Sequence, residues 1–136
     1  MRFGSFVGMC LFAGAAAAQP LPSPPGAKVY FIEPKDGAVV GNPVRIVMGL
    51  SGMGIAPAGV EKENTGHHHL IVDTDYTDME YSIPADEQHI HFGGGQTEAA
   101  VTLPPGQHTL YLLLGDENHI PHHPPVQSAK IRITVK

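Results

Sequence analysis

Turn-forming residues interrupt this chain every ten or so positions, and that rhythm leaves room for short strands and little else. Thirteen prolines and sixteen glycines are spread over 136 residues. No stretch of about ten residues keeps a clean helical period. Strand alternation appears instead, over residues 28–33, 43–50, 67–73, 87–92, 97–103, 107–115 and 129–135. Val44, Ile46, Met48 and Leu50 share one face of their segment. Ile131, Ile133 and Val135 share one face of the last, with Arg132 and Thr134 on the other. The pattern predicts an all-β fold, an immunoglobulin-like antiparallel β-sandwich of about seven strands. Pro104-Pro105-Gly106 has the composition of a hairpin turn and is expected to join two adjacent antiparallel strands.

The N-terminus reads as an export signal. Arg2 is its one charge, an apolar stretch runs from Phe3 to Phe12, and Ala16-Ala17-Ala18 supplies an A-x-A cleavage site. Residues 1–18 are therefore expected to be removed, and the protein to be periplasmic or secreted. Residues 19–27, rich in proline, form an extended lead-in. Residues 28–136 form a single domain, about the size expected for one core. Cys10 is the one cysteine, so after cleavage the chain offers a metal only nitrogen, oxygen and thioether ligands. No membrane span is expected after cleavage. The formal charge is −5 without a basic run, which argues against a nucleic-acid partner.

Histidine is the unusual component: nine, against eight Lys and Arg together. Eight fall into three groups, His67 to His69, His89 with His91, and His119 with His122 and His123. In a strand, residues i and i+2 project from one face about 6.6 Å apart. His67 with His69, and His89 with His91, are thus two pairs able to converge from neighbouring strands. Ile90 and Phe92 claim the core side of the second pair. The first pair is ambiguous: Leu70 and Val72 would take His68 inward, while Ile71 would take His67 and His69 inward. A metal site built from His67, His69, His89, His91, His119 and His122 is expected to hold a divalent ion, copper or zinc, because imidazole suits both. Asp73 and Asp116 are expected as outer partners of the imidazoles. Binding should weaken as pH falls through about 6.5, where free histidine takes up a proton. His108, in line with Leu110, Leu112 and Leu114, reads as structural. Gly93-Gly94-Gly95 reads as a bulge or wide hairpin, since no Lys or helix follows it.

The run GHHHLIVDTD, with HIHFGGGQTE, LPPGQHTL and GDENHIPH beyond it, resembles a family of small exported bacterial proteins known as a domain of unknown function. The resemblance spans residues 44–136 and implies a one-domain secreted module without an assigned activity. PKDGAVVGNPVRIVM is similar to the first hairpin of immunoglobulin-like exported copper-binding domains, but places no ligand. Three readings follow: a metal-binding module, a structural or interaction module of the cell envelope with an envelope-protein partner, or a histidine-metal enzyme. No catalytic triad is visible, and Asp116 and Glu117 are the carboxylates nearest the clusters in sequence.

Overall fold

The computed structural model describes residues 19–136. The expected signal segment, with Cys10, lies outside the described residues. Among those described no helix forms, and none is long and apolar enough to cross a membrane. The strands are β1 (Lys28–Glu33), β2 (Val39–Val40), β3 (Val44–Ser51), β4 (Gly54–Ile55), β5 (Thr65–Val72), β6 (His89–His91), β7 (Glu98–Val101), β8 (Gly106–Gly115) and β9 (Ile131–Val135). Seven of these match the segments read from alternation. β2 and β4, two residues each, add parallel pairings to β9 and β5.

Two sheets face one another. One has the order β1-β3-β7; the other has the order β2-β9-β8-β5-β4, with β6 also paired to β5. Their inner faces supply the main core. Val29, Val44, Ile46 and Met48 meet Leu70, Val72, Leu110, Leu112, Leu114, Ile133 and Val135. Each such aliphatic side chain contributes roughly 1.5–3 kcal/mol through burial.

The Pro104-Pro105-Gly106 hairpin does not form. β7 pairs with β3, through Val101 opposite Val44, whereas β8 runs between β5 and β9. The prolines therefore carry the chain from one sheet to the other. Asn42 pins the departing strand, accepting from the Leu103 N–H at 3.1 Å and donating to its carbonyl at 2.7 Å.

The ambiguity in β5 resolves because both faces of the strand are buried. Leu70 and Val72 point into the main core. Ile71 points outward, into a second small core with Tyr76, Ile83, Tyr111 and Leu113. Residues 73–86 fold over that outer face and bring Tyr76 and Ile83 to it. Alternation then sets His68 on the inner face and His67 and His69 on the outer one.

Candidate metal centre

The outer face of β5 gives the site its floor. His67 and His69 are 1% and 0% exposed. His91 of β6 stands directly opposite His69 in register, which brings cross-strand side chains close. The fourth histidine arrives from the turn after β8. There Asp116 Oδ1 accepts the N–H groups of Asn118 at 2.8 Å and Ile120 at 3.0 Å. The His119 N–H donates to the Asp116 carbonyl at 2.9 Å. His119 takes a left-handed backbone, φ 64°, a conformation that costs on the order of 1 kcal/mol outside glycine.

One ring nitrogen from each of His67, His69, His91 and His119 lies within 4.8 Å of every other. Ring centroids are 4.4 Å apart for His91 and His119, and 4.7 Å apart for His67 and His69. Around an ion with bonds of about 2.0–2.1 Å, tetrahedral nitrogens stand roughly 3.4 Å apart, so modest side-chain rotation closes the set. His67 Nε2 and His119 Nδ1 share a hydrogen bond at 3.0 Å. His67 Nδ1 and both nitrogens of His69 are buried without a hydrogen-bond partner.

Two glycines make room for the rings. A Cβ on Gly115 would stand 2.7 Å from His69 Cε1 and 3.2 Å from the His119 Cα. A Cβ on Gly93 would overlap the His91 ring, 2.6 Å from Nε2. Real Cβ contacts do not approach so closely, so both rings depend on bare backbone there.

The environment favours the neutral form of His67, His69 and His91. Burial, with His119 and His91 nearby, lowers the His67 pKa to about 4. Burial, with His67, His91 and His119 nearby, lowers that of His69 to about 2. Burial and then His119 lower that of His91. Neutral imidazole is the form that binds a metal.

The other expected residues lie elsewhere. His89 shares the face of His91 but stands opposite Ile71, one step further from His67. Its Nδ1 is 2.7 Å from Asp86 Oδ1. His122 Nε2 is 3.2 Å from the Thr65 carbonyl, and its ring abuts Gly66. Neither of the expected outer carboxylates touches a ring of the cluster. Asp116 serves backbone amides, and Asp73 accepts from His108 Nδ1 at 2.6 Å. His108 is structural, as expected: its Nε2 donates to the Pro104 carbonyl at 2.6 Å.

Three distant segments hold the His119 turn and the loop after it. The Ile83 N–H donates to the His119 carbonyl at 2.7 Å, and Ser82 Oγ to that of Asn118 at 2.8 Å. The Gly59 N–H donates to the Glu117 carbonyl at 3.0 Å. The lead-in contributes too: the His123 N–H donates to the Leu21 carbonyl at 2.8 Å, and Ser23 Oγ to that of Pro124 at 2.7 Å. The Gly115 cradle and the lead-in clamp escaped the sequence reading, because each is a contact between segments far apart in the chain. The spacing HIHFG carried a faint signal for the Gly93 cradle.

The sequence profile of a family described as Domain of unknown function (DUF4399) matches residues 46–136, more than half of the chain. The chain belongs to that family. No curated protein and no solved structure matches it.

Proposed function

We propose that this member of a family without an assigned activity is an exported metal-binding module, holding Cu(II) or Zn(II) through His67, His69, His91 and His119. The observation that carries the reading is the convergence of four imidazole nitrogens within 4.8 Å, from two strands and a turn. Burying polar rings without partners is costly unless something completes them. A dication does so, and the neutral form favoured at His67, His69 and His91 suits it. An all-nitrogen donor set favours Cu(II) over Zn(II) in affinity. The export part of the reading rests on residues 1–18; it expects the intact mass of the exported protein to match residues 19–136, and a full-length mass would overturn it.

A structural reading has one observation in its favour. The His67–His119 hydrogen bond satisfies one nitrogen of each ring without any ion. Calorimetric titration of Cu(II) and Zn(II) into untagged protein separates the two. The metal reading expects one ion per chain, held tighter than about micromolar, roughly −8 kcal/mol. It also expects His91→Ala and His119→Ala each to weaken binding by tenfold or more, while His89→Ala leaves it unchanged. Absence of binding returns the cluster to a structural role, and equal binding by the His91→Ala variant shows that other ligands hold the ion.

A further inference from the structure

The four imidazoles bring no negative charge, so a dication among them keeps its full charge. The site lies at a boundary. His67 and His69 are closed off from water on the inner side, whereas His91 is exposed and His119 half-buried on the outer side. Residues 73–86 roof the adjoining part of the sheet over Ile71, Tyr111 and Leu113. On the histidine side the outward wall is formed by the rings of His91 and His119 themselves.

A charge with a dry hemisphere calls for a counter-charge. The carboxylates around the site are committed to other partners. Asp86 is held by His89, Asp73 by His108, and Asp116 by the amides of Asn118 and Ile120. Four nitrogens also leave room at the metal: a tetragonal copper site keeps its axial positions, and zinc expands to five-coordination.

We infer that the metal centre takes a small monoanion from solvent as an additional ligand on its outward side, the ligand class of hydroxide, halide and azide. The inference rests on the metal reading above. Its protein-borne competitor is Glu117, half-buried in the His119 turn.

The test is an azide titration of untagged protein loaded with one Cu(II) per chain, or with Co(II) if the protein holds only zinc-like ions. The expected result is a saturable azide-to-copper charge-transfer band, or for Co(II) a saturable change in the visible spectrum, with one azide per metal. Histidine hyperfine features should be retained in the copper resonance spectrum. A metal-loaded protein that gives no saturable change overturns the inference and leaves the metal reading standing. A change seen only in a Glu117→Gln variant also overturns it, because the protein's own carboxylate then fills the position. Failure to load either metal overturns both readings.

Discussion

At the scale of single residues, the cluster depends as much on two missing side chains as on its four rings. In Gly115→Ala the new methyl would meet the His69 ring, which is fully buried, and the His119 backbone. The variant is expected to lose about 1–3 kcal/mol of stability and at least tenfold in metal affinity, read by denaturant unfolding and calorimetry. In Gly93→Ala the methyl meets His91, whose exposed ring can swing outward. That variant should lose affinity while its unfolding midpoint changes little. Equal effects at both positions would show that the rings are not held as described. His108 carries the pH-dependent contact. Both its nitrogens face acceptors, the Asp73 carboxylate and the Pro104 carbonyl, so both donate only when the ring is charged. Burial pulls its pKa down, but those two partners outweigh burial and leave it above the ordinary value. A raised folded pKa gives stability that is fully present below the unfolded pKa of about 6.5 and is lost as pH rises through the folded one. His108→Ala should therefore cost about 1 kcal/mol more at pH 5.5 than at pH 9, checked by urea unfolding of both proteins at each pH.

At the scale of elements, alternation exposed β3 and β9, because a strand that buries one face writes a period of two into its residues, whereas β5 and the end of β8 are buried on both faces and read as apolar runs. Pairing left no such mark. Nothing local tells Val101 to lie against Val44 rather than against the strand that follows Pro104-Pro105-Gly106, and so the expected hairpin is a crossing between sheets. The same limit shaped the site. Strand period put His89 and His91 on one face, but register decided that His91 meets His69 while His89 meets Ile71. The loop histidines had no period to read, so His119 and His122 were indistinguishable until the turn sent one to the cluster and the other to the Thr65 carbonyl. The lead-in, whose proline content marks it as lying outside the core, clamps that loop through Leu21 and Ser23. Starting the chain at Gly26, two residues before β1, should leave the sheets folded by circular dichroism. Metal affinity should fall severalfold as the His119 loop loses one of its clamps. Unchanged affinity would confine the lead-in to a passive role.

At the scale of the whole molecule, β5 and β8 hold two cores apart, an inner one between the sheets and an outer one under residues 73–86. The histidine cluster prolongs the outer core past the end of its cover. A metal there would tie β5 to β6 and to the turn after β8, segments joined otherwise by a three-residue edge pairing and by scattered loop hydrogen bonds. Such an ion binds the folded chain far better than the unfolded one, whose histidines are dispersed. Binding then adds stability of RT ln(1 + [L]/Kd), about 2.7 kcal/mol at a hundredfold excess over Kd. For a domain of this size that corresponds to a rise in melting temperature on the order of 10 °C. The rise should vanish with a chelator, and should be missing in a His91→Ala/His119→Ala variant whose metal-free melting temperature stays near that of the metal-free parent. If that variant gains as much from metal as the parent does, the stabilising ion sits somewhere other than this cluster.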